Sequence, residues 1–121
     1  MKTIKIKING KEYLFICSAR NTRTGFAHDC HLLINGVDKM ESHAYYINRT
    51  WEVYTYQTVC LKSIDLLIQD RSDILKDRFM ESHGYKKLTQ KRAAIFASEL
   101  EKDQTIMEFK AVRDKLAHNI Y

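Results

Sequence analysis

Apolar and polar residues alternate along the first part of the chain, and this alternation predicts a β-hairpin. It runs over residues 4–8, is interrupted at Asn9-Gly10, and resumes over residues 13–17. Asn-Gly is the preferred pair of a two-residue type I′ turn, because both central residues of that turn need positive φ. A turn at this position places the apolar residues of both strands on one face. The sequence therefore predicts a hairpin with a single buried face.

A second Asn-Gly pair, Asn35-Gly36, predicts a second hairpin between residues 26–34 and residues 37–47. Polar residues interrupt its alternation, which allows a bulge or a mixed face. Residues 18–25 are small and polar and include two arginines, so they are interpreted as a loop that links the two hairpins. Two consecutive hairpins predict a four-stranded antiparallel sheet within residues 1–47.

After residue 50 the hydrophobic period lengthens from two to about 3.6 residues, which predicts a helix. This central helix is expected over residues 50–83, with Thr50 as its N-cap and Gly84 at its end. The pattern leaves open whether the helix is continuous or is broken near residue 70.

The C-terminal part of the chain, residues 89–118, predicts two further helices. Thr89 precedes an apolar stripe at helical spacing, and Thr105 with Glu108 has the spacing of a capping box that opens the last helix. Strands followed by helices are typical of an α+β domain whose helices pack on one face of the sheet. We therefore expect one α+β domain over residues 1–121, with about three helices on a four-stranded antiparallel sheet.

The composition agrees with a single globular domain. The chain has 121 residues, of which 45% are hydrophobic and 29% are charged, as is usual for globular proteins. Its longest apolar runs are far shorter than a membrane span, and no apolar segment follows the first lysines as it would in a signal peptide. These features predict a soluble cytoplasmic protein. The three cysteines are widely spaced and match neither a disulfide framework nor a CxxC zinc module, which indicates a reducing compartment.

The net charge of +5 is distributed unevenly along the chain. Residues 1–25 have a net charge of +5, residues 26–84 have −3, and residues 85–121 have +3. Basic ends of this kind attract nucleic acid or an acidic protein surface. The alternative is that the charge serves solubility alone, since this net charge is ordinary for a small domain.

The predicted second hairpin brings together residues that can carry chemistry. With a two-residue turn, His28 lies opposite His43 and Cys30 lies opposite Glu41. Imidazole, thiolate and carboxylate groups are zinc ligands, and a Cys-His pair can act as a nucleophile. His28, Cys30 and His43 are therefore weak candidates for a metal or nucleophilic site, against the alternative of a solvated sheet face. Because the chain contains no recognised catalytic or phosphate-binding motif, we predict no enzyme activity and no cofactor.

Basic and aromatic residues in polar segments are the candidate binding residues. Arginine forms bidentate contacts with phosphate and carboxylate, and Arg, Trp and Tyr dominate protein interfaces. Cations at a helix start favour an anionic partner, because the helix dipole already attracts anions there. The candidates are Arg20 and Arg23 in the predicted loop, Arg49 and Tyr54 near the start of the central helix, and Lys86, Lys87, Lys91 and Arg92 around the next helix start. The alternative is that these are ordinary solvated side chains.

Several stretches of the chain resemble small proteins that are encoded by bacteriophages and related mobile elements. The matching stretches are the first Asn-Gly hairpin, residues 22–28, residues 46–59 and residues 88–92; the most specific part is Arg49-Thr50-Trp51-Glu52 followed by Tyr54-Thr55-Tyr56-Gln57. The resemblance implies a mobile-element origin. It also implies an accessory role, because small phage proteins are often inhibitors of a host defence enzyme, including anti-CRISPR proteins that block an effector nuclease.

Charge and resemblance together lead to two main functional hypotheses. In the first, the chain is a non-enzymatic protein of the host cytoplasm that binds and inhibits a host defence protein or nucleoprotein. Because the chain is basic, the partner would offer acidic protein surface or bound guide RNA. In the second, the chain is an accessory protein that binds DNA or RNA through its basic ends. A metal-binding or Cys-His enzyme is a remote third hypothesis.

Overall fold

The chain folds as five β-strands followed by three α-helices. The structure is a computed structural model that describes residues 2–22, 25–39, 43–48 and 56–118; of residues 19–22, 25–28, 43–48 and 56 it describes the backbone alone. The elements are β1 (Lys2–Ile8), β2 (Lys11–Thr22), β3 (Gly25–Ile34), β4 (Val37–Asp38), β5 (His43–Asn48), α1 (Tyr56–His83), α2 (Gln90–Leu100) and α3 (Gln104–His118). The predicted α+β class is confirmed.

The strands form one antiparallel sheet in the order β1-β2-β3, and β4 and β5 both pair with β3. The sheet is therefore four strands wide, with its fourth position shared by two short strands. Asn9 and Gly10 separate β1 from β2 with φ of 50° and 76°, and Asn35 and Gly36 separate β3 from β4 with φ of 49° and 79°. Positive φ at both central residues is the backbone of a type I′ turn, whose twist matches that of the flanking strands.

Residues 18–25 do not form the predicted loop. β2 continues through Thr22, which pairs with Gly25 of β3, and Arg20 pairs with Ala27. The loop interpretation was wrong because it rested on side-chain polarity, whereas strand pairing is made by the backbone. On its other side, β3 pairs with β5 over the same stretch. The polar segment of β2 is therefore a paired part of the sheet and not a connection between two hairpins.

The predicted pairing of the second hairpin is also wrong. β5 pairs His28 with Tyr45 rather than with His43, and it pairs Cys30 with His43 rather than with Glu41, which itself lies outside the described residues.

The register changes because the strand predicted over residues 37–47 is interrupted. β4 keeps the predicted register at Ile34 and Val37. β4 pairs Leu33 with Asp38, and β5 pairs Cys30 with His43, so the register of β5 is shifted by two residues from that of β4. A shift of two residues preserves the face on which each residue lies.

Helix α1 is continuous from Tyr56 to His83, which settles the alternative that the sequence left open near residue 70. It ends at Gly84 as predicted. Gly84 has φ of 65°, and the N–H of Tyr85 donates to the carbonyl of Met80 at 2.8 Å. This is a Schellman ending, in which glycine supplies the left-handed residue. Thr50, the predicted N-cap, lies outside the described residues.

Helix α2 begins as predicted after Thr89, whose hydroxyl accepts the N–H of Arg92 at 3.3 Å. Helix α3 begins differently. Its N-cap is Asp103, whose carboxylate accepts the N–H of Ile106 at 3.0 Å. The predicted capping box of Thr105 and Glu108 is wrong because α3 starts two residues earlier, with Asp103 in place of Thr105 as N-cap, and Glu108 turns towards the sheet.

The core lies between one face of the sheet and the helices α1 and α3. Residues that are almost completely buried alternate along β1, β2 and β3, and residues of α1 and α3 pack on them. They are Ile4, Ile6, Tyr13, Phe15, Cys17, Cys30, Leu32, Val59, Cys60, Ile64, Val112 and Leu116. Helix α2 contributes no buried residue, so it lies beside α1 without being part of this core. Within the described part of the chain, no helix is both long enough and apolar enough to span a membrane.

Candidate functional site

The connection between α1 and α2 gathers the four basic candidates Lys86, Lys87, Lys91 and Arg92. Its shape follows from the Schellman ending at Gly84 and the N-cap at Thr89. The three lysines are exposed and Arg92 is half-buried. The sequence prediction that a basic cluster surrounds the start of this helix is therefore reproduced by described side chains.

Arg92 is held in place, whereas the three lysines are not. The guanidinium carbon of Arg92 lies 3.8 Å from the centroid of the Tyr85 ring, and its Nη1 donates to the carbonyl of Lys87 at 3.0 Å. Among the side chains that the structure describes, no carboxylate forms an ion pair with Lys86, Lys87 or Lys91. Their charges are thus available to an anionic partner.

An aromatic cluster joins this basic connection to the two helices. The Phe79 ring lies 5.4 Å from Phe96 of α2 and 5.8 Å from Tyr85, centroid to centroid. His83 stacks on Tyr85 at 5.1 Å with an angle of 12° between the rings. Arg92, which covers Tyr85, therefore sits at the edge of a group of four rings.

A groove of about 400 Å³ opens between the C-terminal half of α1 and α2. Its apolar lining comes from both helices, with charged residues at its rim; the lining residues are Leu75, Arg78, Phe79, Ser82, Phe96, Glu99, Leu100, Lys102 and Asp103. Ile74 and Ile95, on the same two helices, are each 46% exposed. Because α2 buries none of its residues, an apolar surface remains open next to the basic connection.

The other candidate binding residues do not join this cluster in the described structure. Arg20 lies in β2, where only its backbone is described. Arg23, Arg49 and Tyr54 lie outside the described residues. Of the eight candidates, the four at the α1–α2 connection are therefore the ones that the structure brings together.

All three cysteines of the chain meet in the core, which the sequence analysis did not predict. Cys17 of β2 pairs directly with Cys30 of β3, and Cys60 of α1 packs over them. The Sγ atom of Cys17 lies 3.6 Å from that of Cys30 and 3.3 Å from that of Cys60. All three sulfurs lie within 4.8 Å of one another, and all three side chains are fully buried and free of disulfides.

Hydrogen bonds within the cysteine cluster, defined as Cys17, Cys30 and Cys60, separate the pKa values of its members. Cys17 donates towards Cys30, and this bond lowers the pKa of Cys30 below that of an ordinary thiol. The pKa of Cys17 and that of Cys60 are raised, because ionisation would remove the hydrogen bonds that these thiols donate and would place charge in the core. Cys30 is therefore the member of the cluster that ionises most easily.

The signal that could have revealed this cluster is the register of β2 and β3. Pairing of Thr22 with Gly25 sets Cys17 opposite Cys30, and Cys60 belongs to the apolar stripe of the central helix. The interpretation of residues 18–25 as a loop hid this pairing. Of the weak metal candidates, Cys30 lies in the core, whereas only the backbone of His28 and His43 is described.

A second polar feature reaches into the core below α3. Glu108 is 9% exposed, and its carboxylate accepts a short hydrogen bond from the hydroxyl of Tyr13 and pairs with Lys11 Nζ at 3.2 Å. Burial and the bond to Glu108 raise the pKa of Tyr13, so its phenol remains a donor. These groups border a cavity of about 450 Å³. Because both partners of the Glu108 carboxylate, Lys11 and Tyr13, lie on β2, this feature fastens α3 to the sheet.

Comparison of the chain with models of protein families, with curated proteins and with solved structures gives no match.

Proposed function

We propose that the chain is a non-enzymatic binding protein of phage or mobile-element origin that inhibits a host defence protein or nucleoprotein through the α1–α2 surface. This surface comprises the basic connection at Lys86, Lys87, Lys91 and Arg92 and the apolar groove beside it. The observation that carries the proposal is that exposed lysines, which form no ion pair with any described carboxylate, surround a connection whose Tyr85 contacts Phe79 of an open apolar groove.

The combination of charge and apolar surface favours a protein partner. Phosphate backbones are bound mainly by cations and require no apolar groove. Protein interfaces, in contrast, combine a desolvated centre rich in aromatic residues with a polar rim. Phe79 and Phe96 supply such a centre. The lysines of the neighbouring connection supply positive charge that steers an acidic surface towards it. The partner is therefore an acidic surface that offers apolar side chains to the groove.

The resemblance to phage proteins supplies the biological setting of the proposal. Its most specific stretch, residues 49–57, lies almost entirely outside the described residues, whereas residues 88–92, another matching stretch, overlap the basic connection. Inhibition of a host defence protein follows from the resemblance, whereas the choice of contact surface follows from the side chains.

Charge reversal tests the surface. One triple variant reverses the charge of the basic connection: Lys86→Glu/Lys87→Glu/Lys91→Glu. The control changes the net charge equally at exposed lysines elsewhere in the chain: Lys2→Glu/Lys39→Glu/Lys110→Glu. Each protein is expressed in bacteria that carry an active nuclease-based defence, and phage plating is measured. The wild-type chain and the control should restore plating, and the first variant should lose at least about tenfold of the effect, since like-charge contacts oppose binding.

A second variant and a salt titration separate the two kinds of partner. Phe96→Ala opens the apolar centre without altering charge, so it should weaken retention of the inhibited protein on the immobilised chain. Circular dichroism checks that each variant is folded. Nucleic-acid binding would replace the proposal if two results were found together. The wild-type chain would bind free DNA or RNA tightly, with an affinity that falls steeply with salt, and Phe96→Ala would retain as much of the inhibited protein as the wild type does. A wild-type chain that leaves plating unchanged against every nuclease-based defence tested would remove it altogether.

A further inference from the structure

The cysteine cluster has a geometry that its role in packing does not require. The three cysteines come from β2, β3 and α1, and they are separated by 12 and 29 residues along the chain. Their three sulfurs nevertheless lie within 4.8 Å of one another. They turn towards a common point in the core, and they are the only cysteines in the chain.

The separations between the sulfurs are close to those of a tetrahedral zinc site. A Zn–S bond is about 2.3 Å long, so two sulfurs at adjacent corners of a tetrahedron lie about 3.8 Å apart. In this structure Cys17 Sγ lies 3.6 Å from Cys30 Sγ and 3.3 Å from Cys60 Sγ. Small side-chain rotations therefore suffice to bring all three into bonding distance of one ion. We propose that Cys17, Cys30 and Cys60 together bind one Zn²⁺ ion as thiolates.

The chemistry of the site fits a thiophilic ion. Thiolates are soft ligands that select zinc over the hard ions magnesium and calcium. Each thiol that binds the ion releases its proton to solvent, so zinc binding should weaken as the pH falls. Zinc in closed protein sites has four ligands, and the strand next to β3 offers a histidine, because His43 pairs with Cys30 in the backbone register.

A bound ion would join α1 directly to the two central strands that it covers. Cys17 and Cys30 belong to adjacent strands, whereas Cys60 belongs to α1, which covers them. The ion would therefore fasten the helix to the sheet, and its binding free energy would add to the stability of the fold. The site is independent of the α1–α2 surface, so the two proposals can fail separately.

Zinc content provides the direct test. The full chain is unfolded with a chelator and reductant and is refolded with or without Zn²⁺; native mass spectrometry then counts the ions. We expect about one zinc per chain and a melting temperature that falls when a chelator is added. Refolding with Co²⁺ should produce the near-ultraviolet charge-transfer absorption of cobalt thiolates. Well under one zinc per chain, with no such absorption, would overturn the proposal even if no variant could be folded.

Two matched serine and alanine variants distinguish ligation from packing. Cys60→Ser removes one proposed ligand with little change in volume, and zinc affinity should fall more than about 100-fold, because even the outer partners of metal ligands contribute 10–100-fold. Val112→Ala alters the same buried core from α3, which contributes none of the three sulfurs. This control should keep wild-type affinity. Equal affinities for the wild type and Cys60→Ser, or equal losses in both variants, would contradict ligation by the three sulfurs.

Discussion

Asp103 combines two stabilising contacts in one carboxylate, and substitutions can separate them. Its Oδ2 accepts the N–H of Ile106 and so caps α3, and the same side chain forms two hydrogen bonds with the guanidinium of Arg71 on α1, at 3.0 and 3.2 Å. The side chain of Asp103 is 15% exposed and that of Arg71 is 28% exposed. The cap orders one helix, while the ion pair fastens that helix to another.

The two contacts have comparable expected magnitudes. Loss of an N-cap costs about 1 kcal/mol, and a two-bonded ion pair near the surface contributes up to about 1 kcal/mol. Asp103→Ala removes both contacts and should lower the free energy of unfolding by about 2 kcal/mol. Asp103→Asn keeps a capping oxygen and loses the ion pair, so it should lose about half as much. Arg71→Met removes the pair from the other side and should match Asp103→Asn.

The pH dependence of stability provides a further check on the ion pair. Arg71, aided by the N–H of Ile106, holds the pKa of Asp103 below its ordinary value. A carboxyl whose pKa is lowered by folding stabilises the protein above its unfolded pKa of about 4, and this contribution is lost as the pH falls through the folded pKa. The difference in stability between the wild type and Asp103→Asn should therefore be largest at neutral pH and should shrink in acid.

Urea unfolding followed by circular dichroism, from about pH 7 to about pH 2.5, measures these differences. A loss of 1 kcal/mol should lower the melting temperature by about 4 °C in a chain of this length. If Asp103→Asn is as unstable as Asp103→Ala, the capping argument is refuted. If Arg71→Met has wild-type stability at neutral pH, the ion pair contributes nothing and the acid dependence has another source.

Two further predictions concern the buried carboxylate and the end of α1. Glu108→Ala should lower the free energy of unfolding by about 2–3 kcal/mol, because the buried hydroxyl of Tyr13 loses its acceptor. Tyr13→Phe should lower it less, since Lys11 still pairs with Glu108. A larger loss for Tyr13→Phe than for Glu108→Ala in urea unfolding would contradict this account. Gly84→Ala should cost about 1 kcal/mol through backbone strain alone, because an added Cβ meets no atom within 4 Å. Gly84→Asn should recover part of this stability in thermal melts. If Gly84→Ala has the same stability as the wild type, the Schellman ending does not contribute to the stability of the fold.

Elements governed by local rules could be predicted from the sequence. The turn at Asn9-Gly10 requires two residues with positive φ, which Asn-Gly accommodates readily, and Gly84 and Thr89 mark helix ends through contacts within a few residues. The basic connection between α1 and α2 followed from the same local signals. These parts of the fold depend on residues that are close together in sequence, so the residue types at each turn and helix end are sufficient to predict them.

The features that the sequence analysis missed depend on pairing between distant segments. The capping-box spacing suggested that Glu108 would serve α3 itself, but its partners Tyr13 and Lys11 lie about 95 residues away. The cysteines looked unrelated because their spacing matched no motif, and their convergence depends on a strand whose polar residues suggested a loop. The register of β5 differs from that of β4 by two residues, and the alternation of polar and apolar residues cannot reveal such a shift, because it leaves each residue on the same face.

The continuity of α1 divides the molecule into a part that must be conserved for folding and a part that is free to change. Its 28 residues extend about 42 Å, and its first turns carry Val59, Cys60 and Ile64 into the core. Apart from Phe79, its later turns and α2 carry no buried residue, so most substitutions on this surface remove little buried area. A lineage whose partner altered its own surface could therefore revise this end of the protein repeatedly without endangering the sheet.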